Sequence, residues 1–521
     1  MFLGSVRQHR VSHAFFPAGA ASLALLVLGL FALALALACG SNNGGNNFVA
    51  GCTAASGSFG NASLTGTWTY HITGNVLNFD QFGNLTGTTP YREAGVFTTD
   101  GNGNIKSGTD DLAMSGSAFS QGASFTGTYS IHGDGTGTLT INFGTQGGVP
   151  NTISLGIAMA SSTQFYLIEA DNFANAAGGG DKQSSTAMPT GTFVFGAHAN
   201  GTAQGSNGRV GVITVSNTGV VSGSEDSLAL GSLASQLTLT GSLTAPDSTG
   251  RGTLTLKDSS NASSDFEYYV IDTNTLLFLE SDGLVGSGRA EKQTNGSFTN
   301  ASFTAGGWAF GSTGDTSANL NGVHTVGALT SDGNGNITGG AYDSAQDGTA
   351  IANLAFTGGY TVGAAGRTQL TLNPTGSAAI SEVYYLVSPT RAFFLVNDPT
   401  KVEDGTADQQ STNSFSNSNL SGQYALVMDG FDSTPELVDR VATLQGDGKG
   451  NLNFNELVSD SGSTNTPGCL TGNYTVAGNG RVSAAITNLS SNLVIYMASP
   501  NKGYILQDDT GVEVSGTIAL Q

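Results

Sequence analysis

A cassette of about 100 to 120 residues occurs four times in this chain, and repetition at a fixed period constrains the fold more than any other feature of the sequence. The copies open at Trp68, Phe193, Trp308 and Tyr424, which are 125, 115 and 116 residues apart. The third copy is the clearest. It runs from Gly306-Gly307-Trp308 through the glycine-rich turn Asp332-Gly333-Asn334-Gly335-Asn336 and Phe356-Thr357-Gly358-Gly359-Tyr360 to two aromatic strands that end at Asp398. All four copies close on glutamine, at Gln183, Gln293, Gln410 and Gln521.

Within a copy, apolar residues alternate with polar ones at period two between glycine turns, the pattern of antiparallel strands with one buried face. In the second copy Val210-Gly211-Val212-Ile213-Thr214-Val215 is followed by Arg251-Gly252-Thr253-Leu254-Thr255-Leu256, then by Phe266 to Ile271 and Leu276 to Glu280. Helices are disfavoured: 76 of 521 residues are glycine, only 11% are charged, and the polar remainder is Ser, Thr and Asn, which prefer turns to helix interiors. The expected fold is all-β, with four tandem antiparallel meander domains of about eight strands, each closed into a barrel so that no sheet edge is left open. The rival architecture is an eight-bladed propeller built from half-repeats, because the Thr-Gly-x-aromatic string recurs at Tyr129, and related strings at Tyr360 and Tyr474, midway through their copies. The expected division is a signal peptide over 1–38, a tether over 39–62, and β-repeats over 63–186, 187–296, 297–413 and 414–521.

The N-terminus carries Arg7 and Arg10 without an acid, then an almost wholly apolar run from Ala18 to Ala38, ending Leu35-Ala36-Leu37-Ala38-Cys39-Gly40. This resembles a bacterial lipoprotein signal peptide, and the resemblance implies cleavage before Cys39 and acylation of that cysteine. Ala36 stands where the family prefers Leu. The alternative is an uncleaved signal anchor, since the run is long enough to span a bilayer. Residues Gly40 to Asn47 are too polar and glycine-rich to fold and form a spacer. With Gly rather than Asp at position 40, the resemblance implies the outer membrane. The openings Thr65-Gly66-Thr67-Trp68 and Thr126-Gly127-Thr128-Tyr129 are similar to strand openings of avidin and lipocalin barrels, which supports barrels and carries over no ligand residue.

The net charge is −21, with no clustered basic patch, which excludes nucleic acid as a partner. No catalytic motif, phosphate loop or zinc signature occurs, and no catalytic, cofactor-binding or metal residue is assigned. The histidines His71, His132, His198 and His324 are out of register between copies and read as isolated surface or strand residues. Asp100-Gly101-Asn102-Gly103-Asn104 and its third-copy counterpart, with Asp111 and Asp343 eleven residues after the first Asp, have the oxygen spacing of a calcium loop. Ile105 and Ile337 stand where such loops need Gly, and Lys449 replaces a ligand in copy four, so the favoured reading is a hairpin turn and calcium is the alternative. Asp171, Asp282, Asp398 and Asp509 recur after the aromatic strands and read as turn residues. The pairs Tyr268-Tyr269, Tyr384-Tyr385 and Phe393-Phe394 read as core, the alternative being a carbohydrate-binding face.

Apart from Cys39, the cysteines are Cys52 and Cys469, which an oxidising compartment favours pairing. Such a bond needs the two ends of the array close together, which a straight string of barrels forbids and a folded-back array or closed propeller allows. The function expected is a lipid-anchored, non-enzymatic envelope protein that binds a glycan or protein surface, or a structural array. The alternative is a barrel carrier of a small apolar ligand or glycan, and a polysaccharide-active enzyme has least support.

Overall fold

The computed structural model describes residues 58–521, apart from 147–148, 202–204, 230–231, 295, 317–321, 399, 433–436 and 488–490. Each copy is one closed barrel of eight antiparallel strands in meander order. In the first barrel the strands are Gly66–Phe79, Leu85–Thr99, Asn104–Met114, Ser120–Ile131, Thr136–Gln146, Val149–Met159, Gln164–Glu169 and Ala174–Lys182. Its first and eighth strands pair from Trp68↔Lys182 to Val76↔Ala174 and close the sheet. The two halves of a copy therefore share one barrel, and the propeller reading is corrected.

Period two sends alternate side chains inward. Trp68, Tyr70 and Ile72 fill the first barrel with Tyr91, Phe97, Phe125 and Phe165, while His71 between them points out of it. The other barrels are filled in the same way, with Trp308, Phe310, Tyr384 and Phe394 in the third. Eight strands enclose a space that side chains can just occupy, and each large buried ring contributes about 1.5–3 kcal/mol by leaving water. The mid-copy aromatic recurs because it plugs one barrel end. Tyr129, Tyr360 and Tyr474 donate to the carbonyls of Asn61, Asn300 and Asn417, in short 3-10 turns that precede the first strand.

The glycine-rich turns are Asx turns. Asp100 accepts the backbone N–H groups of Asn102 (2.7 Å) and Asn104 (3.1 Å) and the side-chain amide of Asn104 (2.7 Å). Asp332 and Asp447 repeat the arrangement. The Asn104 hydrogen bond pulls the exposed Asp100 carboxyl down to about 2. Asp111 and Asp343 do not join these turns, because their carboxylates are held by the neighbouring barrel.

The four barrels form a ring, each packed on the next and the fourth on the first. In every contact the first strands of one barrel meet the sixth and seventh strands of its neighbour, around a small apolar cluster of their residues. Such a heterologous contact gives a ring when its rotation closes. Two devices recur. The closing glutamine of each copy clasps the turn before the fifth strand of the next. Gln183 donates to the carbonyls of Thr249 (2.8 Å) and Val270 (2.7 Å), Gln293 to Ala365 and Leu386, Gln410 to Asn479 and Met497, and Gln521 to Asp134 and Met159 of the first barrel. The turn glycines Gly250, Gly366, Gly480 and Gly135 have φ of +85° or +86°, and a Cβ there would lie 2.6–2.9 Å from the clasping amide nitrogen. Glycine is required on both counts.

The second device is a buried triad. Asp111 accepts Arg251 and Tyr269, Asp226 accepts Arg367 and Tyr385, and Asp343 accepts Arg481 and Tyr496, in each case across a barrel contact. At the contact between barrels four and one both halves of the triad are different. Leu457 stands opposite Val441 where the others have Asp, and Thr136 opposite Ala158 replaces Arg and Tyr. Gly156 provides the space for Leu457, since a Cβ on it would lie 2.0 Å from the leucine Cδ2. Both faces of this contact have changed together, so barrels four and one fit each other and neither fits a wrong neighbour, which is how specificity is obtained by exclusion.

The axial cavity as the candidate functional site

The first and eighth strands of every barrel face the ring axis, and glycine and alanine are frequent along them. Ala174, Ala176 and Gly178 in the first barrel, Gly196 and Ala197 in the second and Gly314 in the third let the two strands of the seam lie close. A Cβ on Gly178 would meet the His71 carbonyl at 2.0 Å, and one on Gly314 the Val402 carbonyl at 1.9 Å. Between the four seams lies a cavity of about 1070 Å³ to which all barrels contribute, including His71, Arg92, His198, Arg289, Asp315, His324, Arg391, Asp429, Asp439 and Lys502.

Two tiers of polar groups line it. The lower is a chain of alternating charge that runs from barrel to barrel. Arg289 binds Asp181 (2.8 Å) and Glu291 (3.4 Å), Arg391 binds Glu291 (3.2 Å) and Asp408 (3.0 Å), and Lys502 binds Asp408 (2.5 Å). Burial raises the cost of the Asp408 charge, and Arg391 and Lys502 outweigh it and hold this carboxyl at about 2. The chain stops between barrels four and one. Ala519 takes the place of the carboxylate in barrel four, and Gln164 that of the cation in barrel one, so the lower-tier chain has no ion pair across this contact.

The upper tier is centred on His198, whose Nδ1 lies 2.6 Å from Asp404 and Nε2 3.1 Å from Asp315. Burial opposes its charge, but the two carboxylates prevail and lift it to about 10. Asp315 also accepts Asn200 (2.8 Å) and Ser206. Arg92 donates to Asn200 (2.5 Å) and to its neighbour's carbonyl, Tyr91 O. Asp429 and Asp439 face each other across the first two strands of the fourth barrel. Burial pushes Asp429 up to about 6 and, with Asp429 beside it, Asp439 well above the carboxylate range. His71 and His324 also face inward, and burial pushes both down to about 4. His324 contacts Ser515 of the fourth barrel at 2.7 Å.

The reading of isolated histidines is therefore corrected for His71, His198 and His324, which the ring brings to one axis from three barrels. Register between copies gave no sign of this, because each barrel presents a different row of its seam. The aromatic pairs divide: Tyr268, Tyr384 and Phe394 are core, whereas Tyr269, Tyr385 and Phe393 are buried between barrels and offer no open carbohydrate face. Asp171, Asp282 and Asp398 cap turns through the N–H groups of Phe173, Leu284 and Thr400, and Asp509 accepts the N–H of Asn492. Among the described residues no group of three or more His, Cys, Asp or Glu is placed to hold a metal. Cys39 and Cys52 lie outside the described residues. Cys469 is buried and disulfide-bonded.

No protein-family model matches the chain, and no curated protein does. Among solved structures, it is similar to a double mutant of the vaccine antigen transferrin-binding protein B from Haemophilus parasuis, at 11% identity over 68% of this chain and 82% of that one. The TM-score of 0.17 is too low for this likeness to carry an argument.

Proposed function

We propose that the chain is a lipid-anchored envelope protein whose four-barrel ring is a rigid, non-enzymatic binding platform, acylated on Cys39 and tethered at the outer membrane by residues 39–62. The observation that carries the platform reading is the different construction of the two ends of the ring. Phe59 lies beside Gly133, at the end that carries the Asx turns and where the glutamine clasps lock the barrels together. The first strand leads from Gly66 at that end to Phe79 at the other, a height of about 35 Å for a tilted strand of this length. On the far end Phe82 and Phe173 stand 79% and 47% exposed on adjacent hairpins, directed away from the tether. The filled barrels leave no room for an apolar ligand in each, so the carrier reading has no support from the described cores. The ring, immobilised and screened against glycan and extracellular-matrix panels, is expected to capture a partner and to lose it with Phe82→Ser and Phe173→Ser together. Capture unaffected by those changes, or turnover of any panel polysaccharide, contradicts the reading. Fatty-acid labelling lost on Cys39→Ala tests the anchor.

We also infer that Cys52 is the partner of Cys469. Asn455, the strand partner of Cys469, reaches Asp134 at 3.5 Å, and Phe59 is bonded to the adjacent Gly133. Cys52 is seven residues before Phe59, a reach of about 25 Å for extended chain. The bond would staple the contact between barrels four and one. Non-reducing peptide mapping should yield a Cys52 to Cys469 cross-link, and two free thiols would refute it.

A further inference from the structure

The upper tier of the axial cavity holds more carboxyl groups than cations. Four carboxylates, Asp315, Asp404, Asp429 and Asp439, surround two cations, Arg92 and His198. The lower tier, by contrast, matches Asp181, Glu291 and Asp408 with Arg289, Arg391 and Lys502. His198 takes up Asp315 and Asp404, which leaves Arg92, itself bonded to Asn200 and a backbone carbonyl, as the one cation acting on Asp429. Asp439 is 4% exposed and lines the cavity, and its Oδ2 accepts no hydrogen bond. Like charges directly opposite on neighbouring strands destabilise a sheet, and an unpaired buried carboxylate is costlier still. A fold with no use for Asp429 and Asp439 would carry uncharged residues there, as it does at Ala519 and Gln164 nearby.

We propose that this part of the cavity binds a small organic cation, an amine or guanidinium, held between Asp429 and Asp439. The chemistry selects that class. An ammonium supplies up to three N–H donors and a positive charge that draws the pair into its ionised, acceptor-only form. A metal ion would need more ligands than the two carboxylates offer, and the described residues supply no third titratable one. The cavity has the volume of a small-molecule site. It belongs to the ring and does not depend on the anchor or the distal phenylalanines.

The test is calorimetric titration of the full chain with 1,4-diaminobutane, with 1,4-butanediol and magnesium chloride as controls. Saturable binding with a Kd below about 1 mM is expected for the diamine, with proton release at pH 6 because the bound cation favours ionised Asp429 and Asp439. Neither control should bind. Asp439→Asn keeps the shape of the side chain and removes its charge, so it should leave the fold intact and weaken diamine binding at least tenfold. Asp429→Asn should do the same independently. Asp181→Asn in the lower tier should leave binding within twofold. Equal binding of the diol, binding unchanged in both upper-tier variants, or no binding at 10 mM diamine overturns the proposal.

Discussion

Removing Asp226 tests the packing of the ring at its most determined point. This carboxylate is fully buried and accepts Arg367 Nε and Nη2, both at 2.7 Å, and the Tyr385 hydroxyl at 2.7 Å. Asp226→Ala leaves a guanidinium with a side chain only 13% exposed and no anion beside it. Losing one partner of a buried pair costs about 3–5 kcal/mol, whereas an exposed pair is worth about 0–1 kcal/mol. Asp226→Ala with Arg367→Ala leaves the buried tyrosine hydroxyl and the Gln236 N–H without this acceptor, the hydroxyl costing about 1–3 kcal/mol. The double-mutant cycle should therefore give a coupling of about 2 kcal/mol or more. Urea unfolding of the full chain reads this, with circular dichroism beside the fluorescence of Trp68 and Trp308, which sit in barrels one and three and show whether the transition stays cooperative. A cost below about 1 kcal/mol for the single variant would mean that the pair is solvated and the barrels do not share this face.

Other consequences can be checked on the same protein. Gln521→Ala removes two hydrogen bonds from the clasp on the first barrel and should lower stability by about 1–3 kcal/mol in thermal melts; no change would deny the clasp its role. Asp429 holds its proton in the folded state up to about pH 6, above the unfolded carboxyl value, so stability should fall as pH rises from about 4 to 6. Asp429→Asn should flatten that slope in melts across the window. His198, raised to about 10, contributes stability that is complete below about 6.5 and is lost as pH rises through 10, and His198→Gln should abolish that alkaline slope. Millimolar calcium should leave the melting temperature unchanged; a rise of several degrees abolished by Asp332→Ala would restore the calcium alternative.

The barrels were legible in the sequence because their determinants are local. Trp68, Tyr70 and Ile72 alternate with polar residues on one strand, and Asp100 folds its turn with atoms two and four residues away. The ring was not legible, because its determinants are distant and individually plain. Gln183 marks the end of a copy in the sequence, yet its acceptors are backbone carbonyls of Thr249 and Val270, which carry no side-chain signature. Asp111 and Asp343 stood out by their spacing from Asp100 and Asp332, and that spacing suggested a metal loop. Their partners are instead Arg251 and Arg481, about 140 residues further on, each opening the fifth strand of the following copy. A signal was available there. Arg251, Arg367 and Arg481 recur after a turn glycine in three copies and are Thr136 in the first, while Leu457 takes the acidic position only in the fourth. Paired exceptions in the first and last copies mark the contact that is built differently, between barrels four and one. The axial histidines gave no comparable sign, since His71, His198 and His324 occupy different rows of their barrels.

Closure of the ring is tested most directly by small-angle X-ray scattering from residues 58–521 in dilute solution. Four barrels closed around an axial cavity form a compact body, with a radius of gyration of about 23 Å. An open string of four barrels, each about 25 Å across, would give roughly 30 Å or more, with the distance distribution of a rod. A value near the first, with a symmetric distance distribution, is the expected result, and a value near the second contradicts the closed ring.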